Sequence, residues 1–371
     1  MSNEMGIRGY NYVEFYTGSA KMWAYWFAKA LSLKQTAYLG PETGVKDKVS
    51  YYFTKNNIKF IVTSAIRPTN YEVKSFVEKH GDGVKRWALE VDNVKHAYET
   101  AIKNGAIPSR MPKKYEDEFG FVEEAAIKLY DDAEIVFMNK DNYKGVFKPG
   151  FREPIMKINI ETEDTGLMQV DHIVGNVREN EMDMWATYLN KSLGLETFLE
   201  FGPGDISTKY SALLSKVVRS KDKKVRNPIN EPYEGVKKSQ IEEYIDEYLG
   251  SGIQHVAITT DDILKTIAAM RKNGLEFLTN PPDTYYEMLK EKGWNITESI
   301  DELKRLGILC DLEGEGYLLQ LFTKPVSDRP TFFFEIIQRC KGSEGFGQGN
   351  FQALFESIER DQVLRGNFDK N

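Results

Sequence analysis

Two of the chain's four histidines occupy similar places in its second half. His172 lies in the segment QVDHI and His255 in GIQHV, and each segment has the apolar composition of a β-strand. A single histidine on an apolar strand is more often a buried core residue than a metal ligand. Two histidines at equivalent positions of paired modules reverse that expectation, because pseudo-symmetric modules bring such positions together inside one cavity. The pair therefore predicts a metal site.

A carboxylate that could complete this site is Glu335, in the segment PTFFFEIIQR. A charge among phenylalanines and isoleucines carries a heavy desolvation cost unless it is paired or coordinated. It could form a buried ion pair with Arg339, or it could be a third ligand. Two histidines and one carboxylate form the facial triad, which leaves positions open for Fe(II) to bind substrate and O2 together. A closed zinc site would usually need a fourth protein ligand, and none is evident.

These residues stand out because the chain repeats itself. Residues 83–94 align with residues 252–263, and the match continues through a helical segment to an Asn-Gly pair in each copy. Residues 23–33 align in the same way with residues 185–195. His255 then corresponds to Arg86, and His172 corresponds to Tyr12 when the opening strands are aligned. Only the second half carries metal-binding side chains at these positions.

Each repeated unit is predicted to be a βαβββ module, with two modules in each half. Asp261 or Asp262 can cap the helix after the strand of His255, and Asn273-Gly274 can end it. We expect a duplicated α+β protein with a linker near residues 151–164. The predicted domains are residues 1–155 and residues 165–371.

Composition favours a soluble cytoplasmic protein. The 371 residues carry a net charge of −7, which argues against broad nucleic-acid binding, and the basic run at 216–226 is interrupted by Asp222 and fits a solvated hairpin. The N-terminus has no secretory signal, and the longest apolar stretches are too short to cross a bilayer. Cys310 and Cys340, the two cysteines, fit a reduced chain without a disulfide scaffold.

Several longer motifs resemble one enzyme family. They are NEP at 230–232, KSQI at 238–241, GIQH at 252–255, LQLFTKP at 319–325, FEIIQR at 334–339 and GFGQGNFQALF at 345–355. Together they are similar to the 4-hydroxyphenylpyruvate dioxygenase family of the vicinal oxygen chelate superfamily. The resemblance covers nearly the whole chain and is densest from Gln169 to Phe368.

The resemblance implies a fold and a set of site residues. The fold would be two open barrels of the glyoxalase and dioxygenase type, with the first serving as scaffold and in assembly. His172, His255 and Glu335 would hold the metal. Ser215, Asn230, Gln240, Gln254 and Gln320 would form a polar lining, and Pro228, Phe322, Phe333, Phe346, Asn350, Phe351 and Leu354 would shape a substrate pocket shielded by a C-terminal lid helix.

The implied reaction is Fe(II)-dependent conversion of 4-hydroxyphenylpyruvate and O2 to homogentisate, in tyrosine and phenylalanine catabolism, by a homo-oligomer. Two alternatives remain, and a third is disfavoured. A 4-hydroxymandelate synthase would use the same substrate and ligands but hydroxylate the benzylic carbon. A binding protein of the same fold would show no iron-dependent oxygen uptake. An extradiol catechol dioxygenase uses similar ligands, but the C-terminal motif argues against it.

Overall fold

The computed structural model describes residues 4–202, 210, 212–233 and 235–367. The outermost residues of the two predicted domains, 1–3 and 368–371, lie outside this part of the chain, as does the end of the resemblance at Phe368. The elements of the first half are β1 Ile7–Tyr16, α1 Ala20–Ala30, β2 Lys34–Leu39, β3 Lys48–Lys55, β4 Ile58–Ala65, α2 Tyr71–His80, β5 Gly83–Val91, α3 Val94–Lys103, β6 Pro108–Asp117, β7 Gly120–Leu129 and β8 Ala133–Asn139. Those of the second half are β9 Leu167–Asn176, α4 Met182–Leu193, β10 Glu196–Phe201, β11 Ala212–Arg219, β12 Arg226–Tyr233, α5 Gln240–Tyr248, β13 Gly252–Thr260, α6 Ile263–Lys272, α7 Asp283–Glu291, α8 Ile300–Leu306, β14 Leu309–Glu313, β15 Gly316–Phe322, β16 Phe333–Cys340 and α9 Phe351–Arg365.

Each half forms one eight-stranded sheet over its described residues, and the two sheets have the same strand order. The first runs β2-β3-β4-β1-β5-β8-β7-β6, and the second runs β10-β11-β12-β9-β13-β16-β15-β14. In both sheets the opening strands of the two modules lie side by side and antiparallel at the centre. The predicted duplicated α+β fold of βαβββ modules is confirmed.

The helices that follow the central strands begin and end at the repeated polar residues. Asn93 caps α3 by accepting a hydrogen bond from the backbone of His96, and Asp262 caps α6 in the same way from Lys265. Gly105 and Gly274 follow these helices with φ of +96° in both copies, a conformation that favours glycine. The sequence repeat is therefore also a repeat of local structure.

The second half contains an insertion that the repeat did not predict. Helices α7 and α8 lie between α6 and β14, whereas only residues 104–107 join α3 to β6 in the first half. Leu289, Leu303 and Leu306 of these helices are buried in the core. The inserted segment explains why the aligned repeat stops near residue 274.

Ion pairs fill the place in the first half that corresponds to His255. Arg86 is buried on β5, with Nη1 at 3.4 Å from Glu14 Oε2 and Nε at 3.0 Å from Glu134 Oε2. It also pairs with Glu72 of α2. Arginine has no lone pair to offer a metal, so this half of the duplication keeps the fold without the metal-binding groups.

The two halves share one apolar core. Phe332 packs edge-on against Phe15 with ring centroids 5.2 Å apart, and Phe334 stacks on Trp26 at 5.9 Å. The connecting residues 153–164 contain neither helix nor strand. The domain limits 1–155 and 165–371 stay a prediction. No helix in the described ranges has the length and apolar character needed to span a membrane.

We expect Phe334→Ala to lower the free energy of unfolding by about 3–5 kcal/mol, because it removes a fully buried ring from between the halves. Urea unfolding followed by tryptophan fluorescence measures the change. The control is Met111→Ala, whose side chain is 78% exposed and whose effect should stay within about 0.5 kcal/mol. A loss for Phe334→Ala no larger than that of the control would contradict the packing role.

A second contact between the halves lies beside a titratable carboxyl, that of Asp132. His80 at the end of α2 is hydrogen-bonded through Nδ1 to the carbonyl of Tyr248 at 2.6 Å and through Nε2 to Asp132 at 2.9 Å. Burial would raise the pKa of the Asp132 carboxyl, but hydrogen bonds from Lys79 and His80 outweigh it and lower that pKa to about 2. A carboxyl in the unfolded chain titrates near about 3.9.

The difference between the folded and unfolded pKa of Asp132 predicts how the free energy of unfolding depends on pH. Because the folded pKa is depressed, Asp132 stabilises the apoprotein fully above about pH 4, and the contribution is lost as the pH falls toward about 2. Its side chain is 41% exposed, so screening limits the effect to about 1 kcal/mol or less. In urea unfolding Asp132→Asn should therefore destabilise at pH 6 and progressively less in acid. Glu78→Gln, which removes a carboxylate from the exposed face of α2, is the matched control. An effect of Asp132→Asn that is independent of pH would refute the assignment.

Candidate metal centre

Three adjacent strands place His172, His255 and Glu335 on one face of the second sheet. His172 on β9 lies opposite Ala257 on β13, and Ala257 lies opposite Glu335 on β16. His255 is two residues from Ala257 along β13, so its side chain emerges on the same face. The methyl group of Ala257 leaves the space between the three larger side chains open.

The potential ligand atoms converge. Nε2 of His172 is 3.0 Å from Glu335 Oε2, and Nε2 of His255 is 3.3 Å from the same oxygen. All three side chains are buried, and one donor atom from each lies within 4.8 Å of the others. Among the described residues no second group of three or more histidine, cysteine, aspartate or glutamate side chains has this geometry.

Neighbouring side chains hold each imidazole by its other nitrogen. Nδ1 of His172 donates to Asp171 Oδ1 at 2.8 Å, and Nδ1 of His255 donates to Gln254 Oε1 at 2.9 Å. These bonds select the tautomer in which Nε2 carries a lone pair directed at the centre. Arg339 does not pair with Glu335, the alternative considered from the sequence. Its guanidinium binds Asp171 at 2.8 and 2.9 Å.

Electrostatics in the centre suit a cation. Burial would raise the pKa of the Glu335 carboxyl, but the charge and hydrogen bond of His172 outweigh it and lower that pKa to about 2. Burial lowers the pKa of the His255 imidazole. For His172 burial acts in the same direction, but Glu335 and Asp171 outweigh it and raise its pKa. A divalent ion would take the place of the proton on His172, since a ligating imidazole must be neutral.

The donor set passes the test for a transition metal. Two imidazole nitrogens and one carboxylate oxygen, all in reach of a common point, match the ligands of a facial triad. Among the described residues the buried carboxylate forms ion pairs with these two imidazoles alone. His172, His255 and Glu335 could therefore hold a divalent metal ion and leave its remaining positions open to a cavity.

An aromatic cavity adjoins the three groups. Phe333 stacks on the His255 ring with centroids 4.8 Å apart and planes 19° apart. Phe322 meets Phe333 edge-on at 6.1 Å, and Phe346 meets the His172 ring edge-on at 5.1 Å. These flat faces suit a planar aromatic ligand next to the metal position.

Helix α9 covers this cavity. Phe351, Leu354 and Phe355 of the helix line the cavity wall. The end of the helix is held by Arg365, which donates to both carboxylate oxygens of the buried Glu243 on α5. The helix therefore contributes apolar side chains to one wall of the cavity.

Comparisons with known proteins agree with this geometry. A model of the Glyoxalase/Bleomycin resistance protein/Dioxygenase superfamily matches residues 169–328. The 4-hydroxyphenylpyruvate dioxygenase of Yarrowia lipolytica is 43% identical, with 97% of this chain and 93% of the relative covered. The enzyme of the same name from Dictyostelium discoideum is 41% identical, with 97% and 100% covered. The chain belongs to the 4-hydroxyphenylpyruvate dioxygenase family.

Membership of this family makes the chain an enzyme of the dioxygenase class. The relatives give no support to a non-catalytic binding protein. A solved structure, a mutant 4-hydroxymandelate synthase from Streptomyces coelicolor, is 24% identical with a TM-score of 0.83, and 98% of this chain and 100% of that chain are covered. At this identity the likeness shows the shared fold.

The structure gathers most of the side chains that the family resemblance implied. Ser215, Pro228, Asn230, Gln240, Gln254, Phe322, Phe333, Phe346, Phe351 and Leu354 line one cavity together with His172, His255 and Glu335. Gln254 also accepts the hydrogen bond of His255 Nδ1 through its amide oxygen.

Two of the implied residues lie outside this cavity. Gln320 is on the same face as Phe322, two residues along β15, but the loop at Gly347 covers it so closely that a side chain at Gly347 would collide with its amide. Asn350 is buried and accepts a hydrogen bond from the hydroxyl of Tyr285 at 2.8 Å. Loop packing, which residue types do not reveal, decides both placements.

Several wall residues were missed by sequence reasoning. They are Val174, Phe201, Leu213, Val217 and Phe355. The alternation of a strand could have identified some of them. Leu213 and Val217 are each two residues from Ser215 on β11, and Val174 is two residues from His172 on β9.

We expect single changes of His172, His255 or Glu335 to alanine to weaken binding of Co(II), a spectroscopic probe, by more than about 100-fold, because each removes one of three ligands. Anaerobic titration of the apoprotein monitored by absorbance measures the affinity. His96→Ala changes an exposed histidine of α3 and should bind as the unsubstituted chain does. A Glu335→Ala variant with unchanged affinity would remove Glu335 from the ligand set.

Proposed function

We propose that the chain binds Fe(II) through His172, His255 and Glu335 and converts 4-hydroxyphenylpyruvate and O2 to homogentisate and CO2. The observation that carries the proposal is the convergence of two imidazoles and a carboxylate at the end of a covered aromatic cavity. Relatives bearing the name 4-hydroxyphenylpyruvate dioxygenase match over nearly the whole chain. A role in tyrosine and phenylalanine catabolism follows from that substrate.

Iron is favoured over zinc because the chain supplies three ligands on one side. Bound Fe(II) would supply the open coordination positions and would activate O2 for reaction with a 2-oxo acid, which itself supplies the electrons. The protein's task is to fix the imidazoles with Nε2 directed at the metal. The two Nδ1 atoms do this by donating hydrogen bonds to Asp171 and Gln254.

The cavity wall explains selection of an aromatic 2-oxo acid. Phe322 and Phe333 offer apolar faces for the ring near His255. Ser215 and Asn230, paired in register on β11 and β12, offer neutral hydrogen-bonding groups, and Gln240 adds an amide. Such groups can bind the phenol hydroxyl without placing a second charge in the cavity.

The covering helix supports a reaction that must exclude water. Phe346, Phe351, Leu354 and Phe355 form an apolar lid over the cavity. A dry site strengthens electrostatic contacts and protects reactive species from side reactions. The lid must open for substrate, so the proposal gives α9 and the preceding loop a gating role.

The proposal also covers the whole molecule. The two proposed domains are residues 1–155 and 165–371. The first is assigned a scaffold and assembly role. The whole chain is assigned to a cytoplasmic homo-oligomer. Exposed apolar side chains support the assembly role. Tyr25, Ile155 and Met156 line one groove on the first half, and the last two are 83% and 85% exposed.

Product analysis tests the reaction. The chain, loaded with Fe(II) without oxygen and then given 4-hydroxyphenylpyruvate and O2, should release homogentisate and CO2 in equal amounts, one of each per O2 consumed. Glu335→Ala should lose the activity by more than about 100-fold, because it removes a ligand. His96→Ala is the matched control and should retain it.

Homogentisate and 4-hydroxymandelate are isomers of the same mass, so proton NMR of the product must identify the ring pattern. Three inequivalent ring protons indicate homogentisate. A symmetric four-proton pattern would establish the 4-hydroxymandelate synthase alternative. Neither product, with metal bound, would refute the proposed reaction.

A further inference from the structure

Arg339 holds the buried carboxylate that orients a proposed metal ligand. It lies four residues after Glu335 near the end of β16, and its side chain is 13% exposed. Nε donates to Asp171 Oδ2 at 2.9 Å, and Nη2 donates to Asp171 Oδ1 at 2.8 Å. Asp171 in turn accepts from Nδ1 of His172. The forked pairing fixes the direction of the carboxylate as well as its charge.

The remaining nitrogen of the same guanidinium holds the loop in front of the lid helix. Nη1 donates to the carbonyl of Gly345 at 2.7 Å and lies 3.4 Å from the carbonyl of Ser343. The guanidinium carbon is 5.4 Å from the ring centre of Phe346, and that ring contacts His172. One rigid planar group therefore touches both the support of the metal ligand and the start of the lid.

Arg226 provides an internal comparison. Its Nη1 donates to Asp171 Oδ2 at 2.9 Å, so it shares the task of holding that carboxylate. Within the described residues its side chain makes no hydrogen bond to residues 343–346. The two arginines thus differ in their contact with residues 343–347, the lid loop.

The lid loop has a second attachment that does not involve Arg339. The carboxylate of Glu313 accepts hydrogen bonds from the backbone of Glu344 and Gly345 and from the hydroxyl of Ser343. Loss of Arg339 would therefore leave the loop attached through its amide groups. A change at Arg339 would therefore break the contact between the loop and the metal centre, while the loop would keep its attachment to Glu313.

We propose that Arg339 is a positioning residue that couples docking of the lid loop, residues 343–347, to the orientation of His172. The inference rests on the proposed metal site. Metal bound by His172 would fix Asp171 and Arg339, and Arg339 would then fix the carbonyls of the loop. By linkage, a docked loop would strengthen metal binding by the same factor.

The test compares Arg339→Gln with Arg226→Gln in the full chain. Co(II) affinity is measured by anaerobic titration, and amide hydrogen exchange of residues 343–347 is measured with and without saturating Co(II). Both variants should bind Co(II) about 10- to 100-fold more weakly, the range for loss of a supporting contact. Added metal should slow exchange in the loop of the unsubstituted chain and of Arg226→Gln, but not of Arg339→Gln.

Arg339→Lys gives a second measurement should the glutamine variant fold poorly. Lysine keeps a charge for Asp171 but lacks the fork that reaches Gly345 at the same time. It should retain most of the Co(II) affinity and still lose the metal-dependent protection of residues 343–347. Protection that persists in Arg339→Lys would overturn the coupling.

Two further outcomes would overturn it. One is equal loss of metal-dependent protection in Arg226→Gln and Arg339→Gln, which would trace the effect to Asp171 alone. The other is an unsubstituted chain that binds Co(II) without any change of exchange in the loop. Product formation with Fe(II) is scored separately, so the reaction can stand when the coupling fails. An unsubstituted chain that binds no metal would contradict both the coupling and the proposed function.

Discussion

A buried carboxylate between two imidazoles is the constraint on which the second half depends. Glu335 is 3% exposed, and its charge could not remain there without partners. The register of β9, β13 and β16 brings His172 and His255 to its oxygen, and Ala257 keeps the space between them clear. The three candidate ligands are thus positioned by sheet pairing, and the Nδ1 atoms of the two histidines are fixed by the acceptors Asp171 and Gln254.

The duplication shows two solutions to the same packing problem. Both sheets have the same order, but the equivalent position to His255 in the first half holds Arg86, surrounded by Glu14 and Glu134. Ion pairs close that interior, whereas the second half leaves an aromatic cavity. The first half also supports the second, since Phe334 alternates with Glu335 on β16 and packs against the first half from the other face of the strand.

The lid and the metal centre are joined at the base of the loop before α9. Phe346 contacts the His172 ring, and Arg339 touches both Asp171 and the carbonyl of Gly345. At its far end α9 is held by Arg365 and Glu243. The covering helix and the candidate metal centre therefore form one connected structure.

The sequence by itself determined the repeat, the α+β class and the half that holds the candidate metal-binding side chains. These follow from local patterns that can be recognised without knowledge of distant contacts. Examples are strand alternation, helix caps and the histidine at 255 where the first half has Arg86. Tertiary structure decided the rest. The partner of Arg339 is Asp171 and not Glu335, Gln320 lies beneath the Gly347 loop, and α7 and α8 interrupt the repeat. Each depends on packing between segments far apart in the chain. The residue type at one position does not determine such contacts.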